Sequence, residues 1–391
     1  MDRCEEKLDR FLGLMSEEPV IENRDESPDE FLLNLWRTDK ECFLHVIRGS
    51  LKYMKSFRGL DECIISVCIS IGQETRELVE EIALRRRSGS KWSSGFLTAA
   101  VMLGSTKALE KFREGFENSF ACGLRSREYN RVEVLNYLET IVFLRLVSMQ
   151  NLVVHLAEMK NEQYHRFNKP PFWGIPSTLM PNRRQRWLNF IDHEVIKLAE
   201  AANVYFTNDT VGLKEYLNTK GDSEYRAKEY LFCLACDRNR LDFEYFRQQY
   251  HLYKDPLVKK VCIEAIVYAS DPDRAAAFLD EELGQYDLQH LIKKTGHDFK
   301  IITFRAHKLL FYFLIEACYY LKTLKEGLTN KLRILSNARE AATSTPAMVI
   351  LQKFGVATFD KSRIDSSQEL LLKTQPSPAH LLSMARASGR L

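Results

Sequence analysis

Apolar residues recur at intervals of three and four along almost the whole chain, and this spacing constrains the fold more than any other feature. It places apolar side chains on one face of an α-helix, whereas a half-buried strand would need strict alternation. Only 17 glycines and 11 prolines interrupt the 391 residues. Since glycine and proline are the residues that most weaken a helix, the sequence predicts an all-α protein.

The segment Ser126–Leu156 shows how the predicted helices are connected. One helix carries a stripe of apolar residues, namely Val134, Leu135, Leu138, Ile141, Val142 and Leu146. The break Ser148–Gln150 follows, and another helix begins at Asn151. A break that short predicts antiparallel neighbours. We therefore expect an array of antiparallel helical hairpins in two halves, either HEAT-like or an irregular helical bundle.

Proline and charge divide the chain into five predicted parts. A short helix and an acidic flexible leader occupy residues 1–30, and an N-terminal helical domain covers 31–167. Four prolines and one glycine lie in the basic stretch 168–187, where regular helix should fail and a linker is expected. A C-terminal helical domain covers 188–360, and residues 361–391 form a polar tail. Asp-Pro pairs at Asp255 and Asp271 predict helix starts in the second domain.

The charges are unevenly distributed between the leader and the body. Residues 1–30 hold 11 Asp and Glu against 4 Lys and Arg, whereas the remaining chain holds 52 Lys and Arg against 42 Asp and Glu. The leader is either a solubilising tail or a segment that folds over the basic body and competes with nucleic acid. Deleting residues 1–30 without any change in RNA or partner affinity would exclude the second alternative.

Cysteine usage and hydropathy indicate a protein inside the cell, in the cytoplasm or the nucleus. The nine cysteines lie mostly within apolar helical patterns, which is typical of a reducing compartment. No secretory signal is apparent at the N-terminus. The most apolar run, Leu309–Leu321, has 13 residues and contains Glu316, so it predicts a central buried helix. A bilayer span would need about 20 residues.

The sequence contains no catalytic or metal-binding signature. It has no nucleophile elbow, no phosphate-binding glycine loop, no dinucleotide fingerprint and no zinc-protease motif. Cys233 and Cys236 have the spacing of half a zinc site, but no second pair of ligands lies near them in the sequence. We expect core cysteines, no cofactor, no metal and no enzymatic activity.

Residues 97–159 contain a recognisable series of helical segments. A small-residue helix (Leu97–Leu103) precedes a helix with Phe112, Phe116 and Phe120, and a short polar link leads to the hairpin YLETIVFLRLVSMQNLVVHL. This series resembles the later hairpins of the middle domain of the eukaryotic initiation-factor-four-gamma family, which also occurs in the large subunit of the nuclear cap-binding complex. The chain departs from that family at Leu146 and Val147, where a small residue or asparagine usually precedes the turn. The resemblance implies a helical-hairpin scaffold that holds helicases, other scaffolds or RNA and has no chemistry of its own.

Three basic clusters are the candidate contact sites for phosphate, RNA or a protein partner. Guanidinium groups bind phosphates in a bidentate manner, and an adjacent aromatic ring can stack on a base. The alternative is that they are solvated helix ends, where the macrodipole favours Arg near a C-terminus. The candidates are Arg85, Arg86, Arg87 and Lys91, then Arg125, Arg127 and Arg131, and finally Arg183, Arg184, Arg186 and Trp187.

Two functions from different classes fit these observations. The first is a non-catalytic scaffold or adaptor that binds protein partners in RNA metabolism. The second is an RNA-coating protein of the nucleoprotein type, which holds single-stranded RNA in a basic cleft between two helical lobes. A coating protein would oligomerise and bind RNA with a steep salt dependence, whereas an adaptor would depend on one protein partner. Neither function requires a membrane.

Overall fold

The computed structural model describes residues 3–16, 28–54, 56–57, 60–85, 91–121, 131–167, 183–219, 224–237, 241–268, 271–288 and 302–365. All regular elements in these ranges are helices, as the apolar spacing predicts. The described residues from 3 to 121 form one compact unit, and those from 131 to 365 form a second. None of the helices in these ranges combines the length and the apolarity that a bilayer crossing requires.

The first unit consists of short helices that pack in pairs. Helix α1 packs on α3, α2 on α4, and α6 on both α5 and α7. Phe112, Phe116 and Phe120 are fully buried, so the aromatic stripe forms the core face of α7. The described helices are α1 (Arg3–Met15), α2 (Pro28–Thr38), α3 (Lys40–Ser50), α4 (Leu60–Ile71), α5 (Arg76–Arg85), α6 (Lys91–Met102) and α7 (Thr106–Ala121).

A disulfide bond between Cys4 and Cys42 joins α1 to α3. The same two helices are held by ion pairs from Arg3 to Asp39 (3.2 Å) and from Glu5 to His45 (3.1 Å). The expectation of cysteines typical of a reducing compartment does not hold for this pair, since a stable disulfide belongs to an oxidising environment. Spacing in the sequence could not reveal it, because the two cysteines lie on different helices.

The second unit contains the longer helices and most of the core. The chain elements are α8 (Arg131–Phe143), α9 (Gln150–Phe167), α10 (Arg183–Thr219), α11 (Glu224–Ala235), α12 (Phe243–Leu252), α13 (Pro256–Tyr268), α14 (Pro272–Gly284), α15 (Ile302–Cys318), α16 (Glu326–Leu335) and α17 (Ala341–Lys353). Most of the apolar run that was predicted to be a buried helix lies in α15, where Phe311, Leu314, Ile315 and Cys318 are buried, and its last three residues follow the end of the helix.

From α11 onwards the second unit is a two-layer array of helical hairpins. Helices α11, α13, α15 and α17 pack side by side in one layer, and α12, α14 and α16 pack on them as the second layer. Ion pairs connect the second layer, from Arg247 on α12 to Glu281 on α14 (3.2 Å) and from Lys331 on α16 to Asp280 on α14 (2.6 Å). The predicted array of helical hairpins is thus confirmed.

Two helix starts in this array follow the predicted Asp-Pro signal. The carboxylate of Asp271 accepts hydrogen bonds from the backbone N–H groups of Asp273 and Arg274, and α14 begins at Pro272. The carboxylate of Asp255 accepts a hydrogen bond from the N–H of Leu257 (2.7 Å), and α13 begins at Pro256. Proline lacks a backbone N–H donor, and none is required at the first helical position. An Asp-Pro pair is therefore a reliable signal for the start of a helix.

The connection between α8 and α9 differs from the predicted antiparallel hairpin. Helix α8 ends at Phe143, earlier than expected, and both α8 and α9 pack against α10 rather than along each other. The physical reason lies in the link, where Arg145 adopts a left-handed backbone conformation (φ 48°) and residues 147–149 form a 3₁₀ turn. Together they direct α9 away from α8.

The division into units also differs from the boundary expected at residues 168–187. Helices α9 and α10 flank this stretch and pack on each other within the second unit. Helix α10 already begins at Arg183, inside the expected linker. Residues 168–182 lie outside the described ranges, as do residues 17–27 of the acidic leader and 366–391 of the polar tail.

Candidate binding surface

Helix α13 is largely buried and carries one stripe that combines an exposed apolar side chain with half-buried charges. Leu257 is 43% exposed, and Lys260 and Glu264 are half-buried. Spacings of three and four residues put these side chains on the same side of the helix. The Lys260 ammonium lies 3.7 Å from a carboxylate oxygen of Glu264. The remaining sides of α13 carry buried residues, among them Val258, Val261, Cys262, Ile263, Ala265 and Ile266.

The neighbouring helix α15 presents a matching stripe of Leu309, Phe313 and Glu316, spaced by four and three residues. Leu309 is 37% exposed, and the other two side chains are half-buried. The Lys260 ammonium lies over the Phe313 ring, 4.9 Å from its centroid. Glu264 and Glu316 interact electrostatically one turn further along both helices. The two stripes therefore run side by side in the same direction.

Two further charged residues extend this surface beyond α13 and α15. Lys228 on α11 is half-buried, and Glu139 on α8 interacts electrostatically with Lys228, Lys260 and Glu264. Four helices thus contribute to one surface of mixed charge. We refer to Glu139, Lys228, Lys260, Glu264 and Glu316 together as the charged row.

Two carboxyl groups of the charged row are desolvated. The pKa of Glu139 is raised to about 7, chiefly by burial, with Glu264 also raising it and Lys228 and Lys260 lowering it. Burial also raises the pKa of Glu264, with an additional contribution from Glu316. The neighbouring helices therefore desolvate both carboxyl groups, although the two side chains remain partly accessible.

A second pair of charges lies behind the row, inside the unit. Glu229 on α11 and Lys197 on α10 are only 5% and 6% exposed. Burial raises the pKa of Glu229 and lowers that of Lys197 to about 8. A carboxylate oxygen of Glu229 lies 3.7 Å from the Lys228 ammonium. Charges are therefore continuous from the surface of the row into the interior.

The arrangement suits a ligand that offers both charge and apolar surface. The row holds three carboxylates and two ammonium groups, and Leu257 and Leu309 lie at the start of its two central stripes. Desolvated charged groups discriminate strongly between partners, while exposed apolar side chains supply contact area. A phosphate backbone would meet the carboxylates and be repelled by them.

Among the residues of the three predicted basic clusters, only Arg85 has a described side chain, and it is not part of the charged row. Arg85 ends α5 in the first unit, and its guanidinium, 76% exposed, pairs with Glu81 on the same helix (2.9 Å). Arg86, Arg87, Arg125 and Arg127 lie outside the described residues, so their proposed role is still a prediction. Only the backbone is described for Lys91, Arg131, Arg183, Arg184, Arg186 and Trp187.

The backbone positions of these residues test the alternative that the basic clusters are solvated helix ends favoured by the macrodipole. Lys91, Arg131 and Arg183 are the first residues of α6, α8 and α10. The macrodipole disfavours a cation at a helix N-terminus and favours one at a C-terminus. It can therefore account for Arg85, at the end of α5, but not for the other three.

The cysteines of the second unit are core residues, as predicted. Cys233, Cys236, Cys262 and Cys318 are buried free thiols. Burial raises the pKa of the Cys233, Cys262 and Cys318 thiols, to about 12 for Cys262, which keeps these three groups protonated at neutral pH. No group of side chains suited to a metal ion occurs among the described residues.

Sequence reasoning missed every member of the charged row. The available signal was a set of charges within helices that are otherwise apolar, such as Lys260 and Glu264 in VKKVCIEAIVY and Glu316 in LLFYFLIEACYYL. A charge in such a context is more informative than one in a polar stretch, because it must be paired or reach solvent. No signal of this kind indicated that Glu139 on α8 would lie near charges of the later helices.

No family model matches the sequence, and neither a curated protein nor a solved structure matches the chain. The resemblance of residues 97–159 to the initiation-factor-four-gamma middle domain is thus still a prediction. In the structure this segment covers α7, α8, the second half of α6 and most of α9, and it includes parts of both units.

Proposed function

We propose that the chain is a non-catalytic helical scaffold whose second unit binds a protein partner along the charged row. The observation that carries this proposal is the row itself, with its desolvated charges and the exposed Leu257 and Leu309 beside them. The resemblance of residues 97–159 supports a setting in RNA metabolism.

The architecture supports a role in binding. Stacked helical hairpins form rigid frames whose successive helices present one continuous surface, and such arrays commonly bind partners on it. The raised pKa values of Glu139 on α8 and Glu264 on α13 show that ionising these carboxyl groups reduces stability, and destabilising groups of this kind are typical of functional sites. An intracellular location is supported by the buried free thiols, and the Cys4–Cys42 disulfide counts against it.

The composition of the row favours protein over RNA at this surface. Three of its five members are carboxyl groups, which offer a phosphate no positive charge in either protonation state, and RNA affinity depends on neutralising phosphates with basic side chains. A protein segment with arginine or lysine beside apolar residues would complement both the carboxylates and the two leucines. RNA coating is the competing hypothesis, and it depends on the basic clusters instead.

Site-specific photo-crosslinking tests the proposal. A photoreactive phenylalanine analogue placed at Leu309 lies beside Phe313 and Glu316, whereas the same analogue at Leu252 lies at the end of α12 in the other layer. Leu252 is the more exposed of the two, at 65% against 37%, so it controls for accessibility. After irradiation in an extract of the source cells, we expect a discrete protein adduct at position 309 and none at position 252.

Two outcomes of this experiment would contradict the proposal. Equal labelling at both positions would indicate nonspecific capture, and labelling of position 309 by nucleic acid alone would favour the RNA-coating hypothesis. The distinction is made by treating the adduct with nuclease or protease before electrophoresis.

A further inference from the structure

Helix α10 does not run straight but folds back on itself at Asp209. A single guanidinium nitrogen of Arg226 lies 2.8 Å from the Tyr216 hydroxyl and 3.9 Å from a carboxylate oxygen of Glu200. In a straight helix residues 200 and 216 would be about 24 Å apart along the axis. Residues 183–208 and 210–219 are therefore two helical segments joined by a one-residue turn, which we call the Asp209 turn.

The Asp209 turn is strained. Asp209 has φ 59° and ψ −159°, a conformation that essentially only glycine adopts without strain. Its carboxylate accepts a hydrogen bond from the Arg145 guanidinium (3.0 Å), and Arg145 itself has a positive φ of 48°. Two non-glycine residues in unfavourable backbone conformations are thus paired with each other.

Gly212, three residues after Asp209, is also required by the folded-back geometry. A Cβ atom at Gly212 would lie 2.4 Å from the Cβ of Asn208, closer than side chains can approach. In a straight helix residues four apart have Cβ atoms about 5 to 6 Å apart. Position 212 must therefore be glycine in the folded-back form of α10, whereas a continuous helix would accept any residue there.

Both segments are helical up to the turn, so the unstrained alternative is one continuous helix of 37 residues. A short, strained hinge between two well-packed parts is the usual origin of domain swapping, in which the hinge straightens and each part packs on the other copy. The straight helix would relieve the strain at Asp209 and restore the helical hydrogen bonds that the turn interrupts.

We infer that the chain forms a dimer with a second copy by exchanging residues 210–365 through a straightened α10. The contacts across the turn would be remade between the copies, including the pairs of Arg226 with Glu200 and of Glu229 with Lys197. The charged row would become composite, with Glu139 from one copy and Lys228, Lys260, Glu264 and Glu316 from the other. This partner is additional to the one proposed for the scaffold.

Two substitutions at Asp209 that differ by one methyl group test the inference. Asp209→Ala and Asp209→Gly both remove the ion pair with Arg145, but alanine favours the straight helix and glycine tolerates the turn. With two positions per dimer and about 1 kcal/mol of helix preference at each, the dimerisation constant of Asp209→Ala should exceed that of Asp209→Gly at least about 30-fold. Light scattering on a sizing column over a concentration series measures both constants.

Gly212→Ala is an independent test that leaves Arg145 and Asp209 intact. It should raise the dimerisation constant severalfold over that of the unchanged protein, because the added Cβ atom would clash with Asn208 only in the folded-back form. Gly95→Ala, in α6 of the first unit, is the matched control for a glycine-to-alanine change in a helix and should leave the mass unchanged.

Crosslinking identifies exchange as the cause of dimerisation. Cysteines introduced at Glu200 and Arg226 and joined by a short bis-maleimide should give a crosslink within one chain in the monomer and between chains in the dimer. Monomers for both Asp209→Ala and Gly212→Ala, or dimers that crosslink only within chains, would overturn the inference. Both results are independent of whether a protein partner binds the charged row.

Discussion

At the scale of single residues, the most informative feature is the half-buried carboxyl of Glu139. Burial raises the pKa of this group from 4.5 to about 7, so the folded state holds the proton more tightly than the unfolded chain does. The contribution of Glu139 to the free energy of unfolding is therefore greatest below about pH 4.5, and it is lost as the pH rises through 7. Above pH 7 the full penalty of a desolvated charge is present.

We expect Glu139→Gln to stabilise the protein at pH 8 and to have little effect at pH 5. The upper limit of the gain is about 3 kcal/mol in the free energy of unfolding, since each pKa unit corresponds to about 1.4 kcal/mol. Denaturant titrations at the two pH values provide the measurement. Glu158→Gln, at an exposed position on α9, is the control and should show no pH-dependent difference. An equal effect of Glu139→Gln at both pH values would show that its carboxyl is not desolvated.

Sequence reasoning at this scale succeeded where the side chain acts on its own helix. The carboxylates of Asp255 and Asp271 cap the helices that follow them, and Phe112, Phe116 and Phe120 are buried by their spacing alone. It could not predict Glu139 or Glu264, because the pKa of each is raised chiefly by burial, which depends on how other helices pack around it.

At the scale of elements, helix existence followed from the sequence but helix connections did not. The stretch NVYFTNDTVGLKEY contains no proline and has a single glycine, so nothing in it indicated the Asp209 turn. The turn exists because α11 packs against both segments of α10 and Arg145 pairs with Asp209. These contacts are tertiary, and local propensity cannot report them.

The disulfide between α1 and α3 provides the prediction at this scale. Cys4 and Cys42 are separated by 38 positions, and closing a loop of that length removes unfolded-state entropy worth about 4 kcal/mol. We expect Cys4→Ser to lower the free energy of unfolding by about that amount without reductant. With reductant, the unchanged protein should lose the same stability and match the variant. A variant as stable as the oxidised protein would mean that helix packing alone holds α1 in place.

At the scale of the whole molecule, the all-α class and the hairpin array were predictable, and the division into units was not. Four prolines in residues 168–187 indicated a domain boundary, yet the flanking helices α9 and α10 pack together in one unit. Proline reports where a helix must stop, which is a local property. Whether the chain then returns to the same core depends on the apolar faces that remain to be covered, and the sequence pattern does not specify their pairing.

Recognition of a protein partner by the charged row is tested most directly by neutralising the row while the crosslinker remains at Leu309. We expect Glu264→Gln combined with Glu316→Gln to reduce the yield of the protein adduct at least about tenfold, because removing desolvated charges from an interface commonly costs more than 1.4 kcal/mol. Glu281→Gln, on the second layer of the array, is the matched control and should leave the yield unchanged. An undiminished adduct in the double variant would contradict the claim.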